Sequence, residues 1–155
     1  MGAPSMVSKR PPDKISSRLA FCERSTTRGG VDGVWWPNSA DLATELPDLM
    51  SILGSMIGEV RRVVYDPRAW RTAPSRVIRR GVAVCVDPYS LVSPGMIYLV
   101  GTHSRDAVLS IVPASCANSV GDRVLAAVTA STVPMTASVV VHLLGSFAEA
   151  EGKTA

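Results

Sequence analysis

The chain has 155 residues, enough for one compact domain with length to spare at its ends. It is 46% hydrophobic but only 5% aromatic, so a core must come from Val, Leu, Ile and Ala, and its 19% of charged residues, well spread, exclude a wholly disordered chain. Sixteen Lys and Arg against thirteen Asp and Glu leave a net charge of +3, and three scattered cysteines without a C-x-x-C argue against a disulfide scaffold or a zinc ribbon.

Residues 1–15, rich in Pro, Ser, Lys and Arg, read as a disordered basic arm. They lack the apolar run of about 7–15 residues that a secretion signal needs, so a cytoplasmic protein with reduced cysteines is expected. Arg18 to Glu23 alternates apolar and polar residues, which predicts a first strand. Arg28 to Gly33 is turn chemistry. Trp35 and Trp36 follow, and Pro37 stops any regular strand there. Leu42, Leu46, Leu49, Met50, Leu53, Met56 and Ile57 recur at three- and four-residue steps, which predicts an amphipathic helix over 39–57 capped by Asn38 or Ser39. Asp41 and Glu45 lie in its first turns, where the macrodipole favours acids. Pro47 should kink this helix or begin a second one.

Gly58 closes the helix, and Glu59 to Asp66 has strand composition. Pro67 ends that strand and leaves Trp70 in a loop. Ser75 to Ile78 and Val82 to Val86 are short strands around Arg79-Arg80-Gly81. Met96 to Gly101 and Val108 to Val112 are two more, joined by a polar loop of hairpin length. Ser119 to Ala130 carries Val120, Val124, Leu125 and Val128 on one side, which predicts a second amphipathic helix. This order predicts a single α+β domain over 16–132, with a mainly antiparallel sheet of five or six strands and two amphipathic helices packed on it. Residues 133–155 are expected as a loosely ordered C-terminal tail. Its apolar run from Val139 to Leu144 suits an edge strand and is far too short for the roughly 20 residues of a membrane span. Cys22 and Cys85 sit in apolar runs and are expected to pack as small hydrophobes.

Asp32-Gly-Val-Trp-Trp-Pro37, then Ser39-x-Asp-Leu-x-x-Glu-Leu-Pro47, then Gly58-x-Val-x-Arg-Val-x-Tyr65, then Trp70 and Pro74, resembles the uncharacterised actinobacterial family DUF5994. The resemblance covers roughly residues 18–113. It implies a small cytoplasmic protein and carries no established biochemical function. The chain departs from the family pattern at Val86 to Leu91 and in the tail from Val133.

Candidate chemistry gathers around the tryptophan-rich segment. Asp32, Trp35, Trp36, Asp41, Glu45, Arg62, Tyr65 and Trp70 together have the makings of a pocket with an aromatic wall and a few converging charges. The same residues suit a packed core: Asp32-Gly33 as a turn, the indoles as plugs, and Asp41 or Glu45 paired with Arg62. Nucleophilic catalysis would have to use His103, in a polar turn, or His142, in an apolar run, and there is no G-x-S-x-G elbow. No metal-ligand spacing and no phosphate loop is present, so neither a metal nor a cofactor is expected. Residues 61–80 hold seven arginines against Asp66, but Arg61 and Arg62 are neighbours and a regular strand sends them to opposite faces, which counts against a nucleic-acid stripe. The functional expectation is a non-catalytic binding or interaction module, with a protein or small-molecule partner at a tryptophan-lined surface or pocket. One alternative is a small-molecule enzyme using a carboxylate of raised pKa in that pocket. The other is nucleic-acid binding through 61–80. Partner identity and oligomeric state have no signature in the sequence.

Overall fold

A computed structural model describes residues 18–89 and 95–154; the basic arm expected over 1–15 lies outside the described residues. Among the described residues, seven strands form one sheet: β1 (Leu19–Phe21), β2 (Gly33–Trp35), β3 (Val60–Tyr65), β4 (Arg76–Arg79), β5 (Val82–Pro88), β6 (Met96–Gly101) and β7 (Asp106–Ile111). Three helices accompany them: α1 (Leu42–Ile57), α2 (Asn118–Ala130) and α3 (Ala137–Thr154). The strand order across the sheet is β1-β2-β7-β6-β3-β5-β4.

The class is α+β, as expected, and most strand pairings are antiparallel, but the sheet is mixed and the strand and helix numbers need correction. The seventh strand is β2, where turn residues and Pro37 leave only Gly33 to Trp35 for pairing. A three-residue strand is too short to show alternation, yet it bridges β1 and β7. The sheet is mixed: β2 runs parallel to β7 and β3 parallel to β5, while the other four pairings are antiparallel. The second parallel pair arises because the β4–β5 hairpin folds back outside β3, so the returning strand lies beside β3 in the same direction. The third helix, α3, occupies the segment expected as a loose tail or edge strand. Val140, Leu143, Leu144 and Phe147 recur at helical steps along it and pack into the core beneath α2.

Strand alternation divides the interior into two cores. Trp35, Val63, Tyr65, Val84, Val86, Ile97, Leu99 and Leu109 face α1, whose Leu42, Leu46, Leu49, Met50, Leu53 and Ile57 fill the space above them. On the other face, Val34, Met96 and Val108 meet Val120, Val124, Leu125 and Val128 of α2 and Val140 of α3. The second layer covers only part of the sheet: Arg62 of β3, Ile78 of β4 and Cys85 of β5 stay exposed on its uncovered side. Cys85 is therefore not a packed hydrophobe. Cys22 is half-buried, and its thiol donates to the Val31 carbonyl at 3.4 Å.

The start of α1 lies at Leu42, not 39, because the preceding residues are held as extended chain. The Arg71 amide donates to the Ala40 carbonyl at 2.9 Å and the Leu42 amide to the Thr72 carbonyl at 2.9 Å. Pro47 sits on the exposed side and the helix runs through it unbroken. Its carbonyl accepts a bond from the Arg79 guanidinium at 2.8 Å, which ties α1 to the β4–β5 hairpin.

Candidate functional site

The eight residues expected to form one pocket are dispersed. Trp35 and Trp36 are adjacent on β2 and its exit, so alternation sends them to opposite faces. Trp35 packs in the α1-side core, with its ring centroid 5.5 Å from that of Trp70 at an interplanar angle of 38°. Trp36 packs under α2, and the Arg18 guanidinium carbon lies 4.0 Å from its ring centroid, a cation–π contact. The indoles are 3%, 3% and 8% exposed at Trp35, Trp36 and Trp70, so none forms an open aromatic surface. Tyr65 is buried in the same core as Trp35. Arg62 points to the uncovered face and pairs with Asp87 at 2.9 Å, not with Asp41 or Glu45.

Both helix carboxylates are engaged in local structure. Asp41 accepts from the Thr44 hydroxyl at 2.7 Å and the Thr72 hydroxyl at 2.9 Å, and these bonds hold its pKa below the ordinary carboxylate range. That direction is opposite to the raised pKa a general acid at pH 7 would need. Glu45 reaches back to accept from the Asn38 amide at 3.1 Å and the Ser39 hydroxyl at 2.8 Å, fixing the chain that enters α1. Asp32 is a strut: its carboxylate accepts from the Val108 amide at 2.8 Å and the Arg24 guanidinium at 2.7 Å. Arg24 also reaches Asp106 at 2.8 Å, and the paired carboxylates push its pKa upward against the opposing effect of burial.

Sequence reasoning missed the most buried carboxylate. Asp66 is 1% exposed. It accepts from the Arg68 amide at 3.0 Å, the Arg68 Nε at 2.8 Å and the Gly95 amide at 3.0 Å. Burial works to raise its pKa, but these bonds outweigh burial and leave it lowered. The signal was present as Asp-Pro at the close of a strand, the capping residue of a short helical turn from Pro67 to Ala69. Asp66 therefore fixes the loop that delivers Trp70. Three of the seven arginines in 61–80 are likewise hydrogen-bonded within the chain, Arg62 to Asp87, Arg68 to Asp66, and Arg79 to Pro47 and Ser51, while Arg61 makes only a loose 3.7 Å contact with Glu59. Among the described residues, no group of three or more His, Cys, Asp and Glu side chains could hold a metal ion, and no helix is long and apolar enough to cross a membrane.

Three of the expected residues line cavities, each a different one: Arg62 lines an open cavity with Asp87 and Tyr98, Asp32 one with Met56 and Arg105, and Trp70 a third. Trp70 lines an open cleft of about 450 Å³ between the chain entering α1 and the segment after β7, with Ser39, Ala40, Arg71, Pro113 and Ser115 around it. The Trp70 indole Nε1 is buried and has no acceptor among the described residues. Trp36 Nε1 is equally unpartnered, but Trp36 does not line this cleft.

The sequence model of DUF5994, a family of unknown function, matches residues 18–128. The chain belongs to this family. The DUF5994 match takes in all seven strands, α1 and most of α2, and it ends before α3 begins. The Trp70 cleft lies wholly within the DUF5994 match. Neither a curated protein nor a solved structure matches the chain.

Proposed function

We propose that this protein is a non-catalytic binding domain whose ligand site is the cleft against Trp70. One observation carries the proposal: an indole N–H in a residue more than nine-tenths buried has no acceptor, and its residue walls a cleft large enough for a small molecule. Leaving such a donor unpaired costs about 1–3 kcal/mol, which a ligand acceptor would recover. The ligand is a small molecule that presents a carbonyl or carboxylate oxygen to Trp70, with the exposed Arg71 guanidinium and the Ser39 and Ser115 hydroxyls at the rim. Trp35 braces Trp70 from the core and Asp66 fixes the loop before it. Free cysteines at positions 22, 85 and 116 support a reducing, cytoplasmic setting.

The test uses nitrogen-15 spectra of the indole groups. The signal lost in Trp70→Phe belongs to Trp70. Titration with a panel of small carbonyl and carboxylate compounds should shift that signal and leave that of Trp36 in place. A panel in which no compound moves the Trp70 signal overturns the proposal.

A further inference from the structure

We infer that a second cleft, between α1 and the β4–β5 hairpin, binds a free α-amino acid with an apolar side chain. This cleft shares no lining residue with the one at Trp70. Its volume is about 240 Å³, room for about eight waters at roughly 30 Å³ each and of the order of one amino acid. Met50, Val60 and Val84, all nearly inaccessible to solvent, form its apolar floor together with Val82.

Two opposite charges line the cleft without meeting. Glu59 and Arg80 both face it, yet they form no ion pair with each other. Glu59 has only a loose contact with Arg61 at 3.7 Å, and Arg80 makes no hydrogen bond or ion pair among the described residues. The neighbouring Arg79 is not available, because its guanidinium is spent on the Pro47 carbonyl at 2.8 Å and the Ser51 hydroxyl at 3.0 Å. A plain anion would be drawn to Arg80 and repelled by Glu59, and a plain cation the reverse. A zwitterion satisfies both, with its carboxylate on Arg80, its ammonium on Glu59 and its side chain on the valine and methionine floor.

The backbone supplies an independent sign. Arg80 has φ of 52° and Gly81 φ of 79°, a two-residue hairpin turn with both central residues left-handed. Asn-Gly is the favoured pair for such a turn, and an arginine there costs stability that its neighbours do not require. Strain kept at one residue whose charge faces a cavity points to a use for that charge.

The experiment is calorimetric titration of the full chain with L-leucine, N-acetyl-L-leucine and L-leucinamide. Leucine should bind, and each derivative, lacking one charge, should bind at least about tenfold more weakly. Arg80→Asn should fold as well as the parent, with an equal or higher melting temperature, because it installs Asn-Gly in the turn. Its leucine affinity should nevertheless fall at least about tenfold. Glu59→Gln should cause a similar loss and remove the penalty for acetylating the ammonium. The inference is overturned if leucine, isoleucine, valine and methionine give no binding at millimolar concentration. It is equally overturned if the derivatives bind as well as leucine, or if Arg80→Asn leaves binding undiminished.

Discussion

The same substitution made in two helices should move stability in opposite directions. Gly54 lies in the middle of α1, and a Cβ built on it meets nothing within 4 Å. Gly54→Ala therefore gains helix propensity with no steric cost, worth about 1 kcal/mol. Gly121 lies in α2, and a Cβ there would stand 2.5 to 2.6 Å from three carbon atoms of the Trp36 ring. Carbon atoms in contact rest at about 3.5–4.0 Å, so the ring or the helix must retreat by about 1 Å. The indole is rigid, 3% exposed and already stacked by Arg18, which leaves it little room to yield. Three such contacts against a rigid ring put the overpacking in the upper part of its usual range, about 2–3 kcal/mol, so after the propensity gain of about 1 kcal/mol Gly121→Ala should lose about 1–2 kcal/mol net. A chain of this length shifts about 2–4 °C per kcal/mol, which places the two variants roughly 5–10 °C apart with the parent between them. Thermal melts followed by far-ultraviolet circular dichroism, with urea titrations alongside, read this directly. Equal stabilisation by both alanines would mean that Trp36 is not seated against α2, and the two-core account of the fold would fail.

Asp66→Asn puts an amide where a buried carboxylate takes three bonds, so it should cost about 2–4 kcal/mol in urea unfolding at pH 7. The sign with pH follows from the lowered folded-state pKa of Asp66: its contribution is full above the unfolded value of about 4 and is lost as pH falls below it, so the gap between parent and variant should close in acid. Closure on the alkaline side instead would refute the assignment. Iodoacetamide at pH 8 should modify the exposed Cys85 first, while Cys22, half-buried with its thiol pKa pushed up to about 11 by burial and then by Asp32, reacts last; peptide mass spectrometry gives the order. Phe147→Ala removes an α3 side chain that packs on the α2 core and stacks under Arg123, so it should cost about 1–3 kcal/mol, and a neutral result would leave α3 an undocked helix.

Long periodic elements were legible and short or topologically displaced ones were not. Leu42 to Ile57 announces α1 through its leucine spacing, and β3, β6 and β7 through their apolar runs, because each buries one full face. The strand β2 is three residues long, so its pairing depends on what lies on either side of it and not on its own pattern. The parallel pairing of β3 with β5 is set by the order in which a hairpin folds back, which no local residue encodes. In α3, three consecutive valines have strand composition, but the spacing of Val140, Leu143, Leu144 and Phe147 is helical, and packing on α2 favours the helix over the local preference. Within the candidate site, Trp70, Arg62 and Asp32 each line a cavity, but three different ones, so no single pocket gathers them. Asp41 and Glu45 looked reactive because acids at the start of a helix serve both chemistry and capping, and only the hydroxyl and amide partners separate the two roles.

The paired tryptophans explain why the most distinctive segment is not itself the site. Two adjacent residues on a strand must face opposite sides of its sheet, and this sheet has a core on each side. Trp35 therefore plugs one core and Trp36 the other, while Asp32 just before them ties the same strand to β7 through the Val108 amide. A chain with so few aromatic residues gains large, rigid filling volume at the point where both layers close. Trp70 differs because it arrives by a loop, held by Asp66, and leans on Trp35 with its other edge at a cleft. The structural indoles thus set the position of the available one, and a ligand at Trp70 would be sensed first by the packing of Trp35. A conservative Trp35→Phe exchange should accordingly weaken ligand binding at Trp70 while Trp36→Phe lowers only stability; equal effects of the two on binding would show that Trp35 does not position the site.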